Sequence, residues 1–326
     1  MSDVSRSSSL SPAPPALPPS LPDPLTPLAD SYTYHSACPT AAGPYHLGVD
    51  EAGRGPVLGP LVYAVALCPE SYVEKLEDLG FDDSKVLSAE TRAKLLGALE
   101  SDPTNLAWAV RVVSPQAISR GMLQRPPVNL NVQSQEATVL LIKEVLAKGV
   151  PVTHVFVDAL GATGPYQQYL SSVFPGITFD VRPKADSIFK VVSAASIAAK
   201  TTRDAWIENW IYDEVPRPPL GAGAEGDLTV PAAPAWATSE RGSGYPSDPK
   251  TKVWLSSAVD KTFGFPSIVR FSWATAKLEL ERSAHQVKWT DEGQTTLVKS
   301  FATATGRDKG RSSVAKEFQL RSVGSL

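Results

Sequence analysis

The stretch GVDEAGRGPVLGPLVYA, Gly48 to Ala64, sets two carboxylates side by side with a glycine–arginine–glycine step just behind them. Adjacent acids in an apolar setting repel each other and have no packing use of their own, so a cation from outside the chain is the natural compensation. Two further carboxylates stand at element ends: Asp158 closes THVFVD, and Asp186 opens DSIFKVVSAASIAAKTTRDAWIENWIYDE. Hard divalent cations such as Mg2+ or Mn2+ take oxygen ligands. Asp50, Glu51, Asp158 and Asp186, if gathered at one sheet edge, would therefore form a candidate metal site. Two ions on one phosphate stabilise both the attacking and the leaving oxygen of a displacement. Each acid taken singly has a plainer use, because a strand-terminal Asp is more often a turn or cap residue. GRGP likewise reads either as a tight turn or as bare backbone open to a ligand, with Arg54 a planar donor for phosphate. Its spacing fits neither a Walker loop nor a dinucleotide fingerprint. From the residues alone, the chemistry is metal-dependent phosphoryl transfer and goes no further.

Positioning these groups falls to a short list of elements. Strand patterns cover Tyr45–Asp50, Val57–Leu67, Leu106–Val113, Thr153–Asp158 and Ile177–Arg182, with the second almost continuously apolar. Ser88 caps a helix in SAETRAKLLGALE through a Ser-x-x-Thr variant. Asn131–Lys148 is a helix with Val132, Ala137, Leu140, Leu141 and Val145 as its buried stripe. The long helix opened by Asp186 carries a small-residue run, Ser193–Ala199, that permits close approach to a sheet. Further helices are expected over Lys250–Phe263 and Ser272–His285. Strands first, then strands alternating with helices, predict a mixed α/β sheet with helices on its faces.

Composition sets outer bounds. The chain has 326 residues, 42% hydrophobic and 20% charged, with a net charge of −3, ordinary for a globular protein. No apolar run approaches the roughly 20 residues that cross a bilayer, so no membrane role is expected. Cys38 and Cys68 form no C-x-x-C pair, and His35, His46, His154 and His285 lack ligand spacing. That argues against zinc and for a reducing compartment. Residues 1–43 are Pro/Ser-rich and read as a disordered arm. The catalytic core is expected over 44–215, a flexible insertion over 216–243, a helical region over 244–290 and a tail over 291–326.

GVDEAGRGPVLGPLVYA, DDSKVLSAETR, VFVDALGATGPYQQYL, KADSIFKVVSAASIAAKTTRD, GSGYPSDPKTKVWL and GFPSIVRFSWATA, in this order over most of 45–275, closely resemble type 2 ribonuclease H in its eukaryotic form. The resemblance implies a ribonuclease-H-like fold with a smaller helical C-terminal region. It also implies hydrolysis of the RNA strand of RNA–DNA hybrids and incision 5′ of single ribonucleotides in duplex DNA. By position, the family's four acidic ligands for two Mg2+ or Mn2+ ions fall on Asp50, Glu51, Asp158 and Asp186. The family's ribose-sensing step falls on Gly53, Arg54 and Gly55, and its junction-reading tyrosine on Tyr245. A close backbone approach suits a sensor of the 2′-hydroxyl, the group that separates RNA from DNA.

Lys85, Lys184, Lys200, Arg203 and Lys250 lie in the matching segments and are candidates for phosphate contact, although each alone reads equally as a solvated charge. The resemblance further implies work in the nucleus as a heterotrimer with non-catalytic subunits B and C, which the helical C-terminal region and tail are expected to dock. Gln294–Phe301, QTTLVKSF, partly resembles a sliding-clamp motif, with Ser300 where an aromatic belongs. Two other classes compete: a non-catalytic hybrid-binding protein, and a DNA-strand nuclease or integrase on the same fold.

Overall fold

The computed structural model describes residues 17–23, 25–81, 87–216 and 232–286. Six strands form one sheet: β1 (Tyr32–His35), β2 (Tyr45–Ala52), β3 (Leu61–Pro69), β4 (Ala107–Val113), β5 (Val152–Asp158) and β6 (Thr178–Arg182). The described helices are α1 (Val73–Asp78), α2 (Ala89–Ser101), α3 (Pro115–Leu123), α4 (Leu130–Ala147), α5 (Thr163–Val173), α6 (Lys190–Glu208), α7 (Ala235–Thr238), α8 (Pro249–Ala258) and α9 (Ala274–Ser283). Strand order is β1-β4-β3-β2-β5-β6. The pairs from β1 through β2 are antiparallel, and β2·β5 and β5·β6 are parallel. The mixed sheet with helices on both faces is the architecture the pattern predicts.

Strand alternation sorts side chains to two cores. One core joins α2, α6 and the C-terminal helices to the sheet, the other α3, α4 and α5. Every residue of β3 is buried, as a central strand covered on both faces requires. Helix α6 buries its whole run from Val191 to Ala199. It approaches β2 so closely that a Cβ on Gly48 would overlap the Val191 carbonyl. The small residues at Ser193–Ala199 allow that contact. Caps set the helix starts: Ser88 accepts from the Thr91 amide at 3.1 Å, Ser114 from Ala117 at 3.2 Å and Asn129 from Val132 at 3.0 Å.

Several expectations are corrected. Residues 17–43 are not a free arm. Leu21 and Leu28 are buried, Ser20 meets Thr202 at 2.7 Å, and Tyr32–His35 adds an edge strand to β4. Proline content suggested disorder, but Leu21 and Leu28 join the core on the α6 side of the sheet and hold this strap in place. The described end of the expected insertion, residues 232–243, is likewise anchored: Trp236 of α7 packs edge-on to Tyr212 at 5.0 Å and Trp254 at 6.1 Å. Residues 1–16, 217–231 and 287–326 lie outside the described residues, and with them the Gln294–Phe301 motif and the tail.

Strand β3 starts at Leu61, not Val57, because Gly59 takes φ +81° and Pro60 has no amide to give. Residues 57–59 pair instead with the C-terminal region: Val57 N–H donates to Gly244 O at 2.8 Å, and Gly59 N–H to Ile268 O at 2.8 Å. Asp186 does not open α6. It sits in a separate 3-10 turn, Ala185–Ser187, entered through Lys184 at φ 59°. On α4, Val132 is exposed and Leu140 half-buried, while Ser134 and Thr138 take buried places. Helices α1, α3, α5 and α7 carried no sequence assignment.

Candidate active site

Glu51 follows Asp50, and consecutive strand residues face opposite ways. Asp50 stands opposite Ala64, part of the α6-side core; Glu51 stands opposite Tyr63, part of the α4-side core. The two acids therefore do not confront each other. Asp50, almost fully buried, accepts a hydrogen bond from Ser196 of α6, and one oxygen takes the Glu51 amide at 2.7 Å.

Parallel pairing of β2 with β5 brings Asp158 beside Asp50. Asp158 then holds the next segment, its Oδ1 accepting the Ala185 amide at 3.2 Å, which sets Asp186 against the other two. Carboxylate oxygens of Asp50, Asp158 and Asp186 all lie within 4.8 Å of one another. Burial, reinforced by repulsion from Asp158 and Asp186, pushes Asp50 up to about 7, although Ser196 and the Glu51 amide oppose the rise. Three hard oxygen donors, two of them buried, are too much negative charge for one pocket, and a divalent cation fits them in charge and ligand type. Glu51 is outside this three-carboxylate cluster.

On the other face, Glu51 shares surroundings with Arg54, Tyr63 and Tyr166. Burial raises both phenols, Tyr166 to about 12, and they bond to Ser134 and Thr138 of α4. Arg54 donates to Ser134 Oγ at 2.7 Å and to Asn131 Oδ1, so α4 occupies two of its donors. Gly53 takes φ +83°, and a Cβ there would overlap Arg203 and lie 2.7 Å from Pro60 O. A Cβ on Gly55 would lie 3.0 Å from the Tyr245 ring, which is 48% exposed. The structure thus brings Gly53, Arg54, Gly55 and Tyr245 together from opposite ends of the chain.

The basic candidates are dispersed. Lys184 is exposed beside the Asp186 turn, and Lys200 follows Ser196 by one turn of α6. Arg203 is turned inward, donating to Leu58 O at 3.3 Å with Asp204 at 4.0 Å. Lys250 pairs with Glu240 at 2.7 Å on the surface. Lys85 lies outside the described residues. Sequence reasoning missed Ser196, Tyr63, Tyr166, Asn131, Ser134, Arg270 and Trp273. Only the polar spacing Asn131, Ser134, Thr138 on α4 carried a signal, a second stripe at helical period.

Sheet topology and carboxylate cluster together define a ribonuclease-H-like α/β protein with a site suited to divalent cations. The ribonuclease HII family model matches residues 47–232. Proteins described as the A subunit of ribonuclease H2 are similar over most of their length. The Bos taurus protein is 47% identical over 248 residues, 76% of this chain and 77% of its own. The Homo sapiens protein is 43% identical over 276 residues, 83% and 86% respectively. Among solved structures, ribonuclease H2 from Pyrococcus horikoshii OT3 superposes with a TM-score of 0.57 at 32% identity, covering 73% of this chain and 98% of that one. Ribonuclease HII of Archaeoglobus fulgidus, solved in complex with PCNA, gives 0.53 at 26% identity, covering 76% and 99%. The chain belongs to the ribonuclease HII family and is a ribonuclease H.

Proposed function

We propose that this chain is the catalytic component of a ribonuclease H2 that hydrolyses the RNA strand of RNA–DNA hybrids and cuts 5′ of single ribonucleotides in duplex DNA, leaving 3′-hydroxyl and 5′-phosphate ends. One observation carries the reading: Asp50 on the strand that runs directly into the Gly53–Gly55 loop, Asp158 on its neighbour β5 and Asp186 in the turn before α6 lie within 4.8 Å of one another, and Tyr245 packs against that loop. Asp50, Asp158 and Asp186, with Glu51 as fourth, would hold two Mg2+ or Mn2+ ions. When bound, such ions supply an activated water and stabilise the departing 3′ oxygen.

The chain's own groups do the positioning. Ser196 and the Glu51 amide keep Asp50 oriented, and the Ala185 amide keeps Asp158 oriented. The Gly53 and Gly55 backbone, free of side chains, admits a ribose and reads its 2′-hydroxyl. The Tyr245 ring packs on the following sugar, where a second hydroxyl would clash. Lys184, Lys200 and Lys250 are proposed to contact phosphates, with Lys85.

The description of these relatives as A subunits supports assembly with further subunits. These are proposed to be non-catalytic subunits B and C, docked through the C-terminal region and tail, with work in the nucleus in ribonucleotide removal and primer removal. Sliding-clamp contact through Gln294–Phe301 rests on the motif and on the A. fulgidus relative's complex with PCNA.

Incubation of the assembled enzyme with Mg2+ and a DNA duplex bearing one ribonucleotide tests the reading. Cleavage 5′ of the ribonucleotide is expected, with loss in Asp50→Asn and Asp158→Asn of at least about a thousandfold. Equal cleavage of an all-deoxy duplex would instead mark a DNA-strand nuclease.

A further inference from the structure

The C-terminal region holds the Gly53–Gly55 loop from inside, by its carbonyls. Arg270 is fully buried; its Nε donates to Gly59 O at 2.8 Å, Nη1 to Arg54 O at 3.2 Å and Nη2 to Gly53 O at 2.6 Å. Trp273 lays its ring 4.8 Å from the Arg270 guanidinium, and its Nε1 donates to Gly55 O at 2.9 Å. Arg203 takes Leu58 O at 3.3 Å. The carbonyls of all three loop residues, and those of 58 and 59, are thus engaged by side chains. Main-chain capacity left for a ligand favours the amide side, which suits an oxygen-rich group such as a ribose hydroxyl or a phosphate.

Charge adds a second argument. Among the described residues, the hydrogen-bond partners of Arg270 are carbonyls, with an aromatic ring beside them and no carboxylate. A second guanidinium, that of Arg203, lies against Gly53. Burying an arginine without an anion is costly, and a neutral donor would suffice for a purely structural post. An anion arriving with substrate at the loop would restore the balance.

We propose that Arg270, backed by Trp273, is a positioning residue for cleavage. It fixes the Gly53–Arg54–Gly55 backbone and lends it positive charge, so that the ribonucleotide is held in register with the carboxylate cluster. The inference rests on the reading of this loop as the ribose sensor.

Two variants of the full chain in its native assembly test it. Trp273→Phe keeps a ring over Arg270 and removes only the bond to Gly55. Arg270→Lys keeps the charge but loses the planar grip on three carbonyls. Each is assayed on DNA duplexes carrying one ribonucleotide or its 2′-fluoro analogue, with folding followed by circular dichroism. The expected result is a kcat lower by about fivefold for Trp273→Phe and on the order of a hundredfold for Arg270→Lys. KM should stay nearly constant, and the preference for the 2′-hydroxyl substrate should shrink in both. A smaller folded fraction scales both substrates together and leaves that preference unchanged. Folded variants that prefer the 2′-hydroxyl as strongly as wild type overturn the inference alone. A wild type that cuts both substrates equally overturns the loop reading and the inference with it. If Arg270→Lys does not fold, Trp273→Phe decides by the same criterion.

Discussion

Asp50 and Glu51, neighbours in the chain, project from opposite faces of β2: the first meets Ser196 on α6, the second shares its surroundings with Arg54, the buried Tyr63 and the partly buried Tyr166 on the α4 side. The repulsion implied by two adjacent acids is therefore largely removed by strand geometry. The electrostatic strain lies instead between residues distant in sequence, Asp50, Asp158 and Asp186. It is this non-local cluster that calls for a cation.

Gly48 sits two residues before Asp50 at the closest approach of β2 to α6. Gly48→Ala forces a Cβ against the Val191–Val192 backbone, which cannot swing away as a side chain can. Overpacking of this kind costs about 1–3 kcal/mol. Thermal unfolding should show a Tm lower by roughly 2–12 °C, with activity falling as the Asp50–Ser196 contact is displaced. An unchanged Tm would mean that α6 does not press on β2 as described.

The acids and the glycine step were legible because their chemistry is local: carboxylates at strand ends and glycines at a turn show in any window of a few residues. Strand identities were legible for the same reason, since β3 is apolar throughout. Arg270 was not legible. A buried arginine and a surface arginine look alike in VRFSW, and its carbonyl partners lie more than two hundred residues earlier. Strand β1 was hidden by prolines whose composition suggests disorder, while the contacts that order the segment, Ser20 with Thr202 and Tyr32 with Trp206, are wholly tertiary. Val57–Pro60 kept its strand-like residues but gave its hydrogen bonds to the C-terminal region.

Gly55 and Tyr245 are predicted to act as one unit. Gly55→Ala places a methyl 3.0 Å from the Tyr245 ring and displaces it, so its effect should largely duplicate that of Tyr245→Ala. Residues in contact are non-additive. In a double-mutant cycle on the single-ribonucleotide substrate, the double variant should lose little more than the worse single one. Strict additivity would separate the two residues in function.

Ser196 donates to Asp50 and so favours its charged form. Ser196→Ala removes that help and raises the Asp50 pKa above its already elevated position of about 7. A cation needs the deprotonated carboxylate, so the acid limb of kcat/KM against pH should move to higher pH, and activity should recover on the alkaline side. A uniform loss at every pH would assign Ser196 a packing role only.

Without a cation, Asp50 makes the folded state sensitive to pH in the reverse of the usual carboxylate sense. Its folded pKa, about 7, exceeds the ordinary value of 3.8, so the folded chain binds more protons than the unfolded one between them. Stability from this group is fully present below the unfolded value, is lost as pH rises through the window, and is absent above about 7. The size is on the order of a few kcal/mol for a shift of this extent. In chelator, Tm should fall from pH 5 to pH 8, and Mg2+ or Mn2+ should restore more of it at pH 8 than at pH 5. Asp50→Asn, which cannot ionise, should abolish this part of the pH dependence and raise the metal-free Tm at pH 8 while eliminating cleavage. Glu51→Gln, on the other face of β2, should leave the dependence in place. If Asp50→Asn and wild type melt alike in chelator across this range, Asp50 carries no buried-charge penalty, and the case for a cation from electrostatics falls.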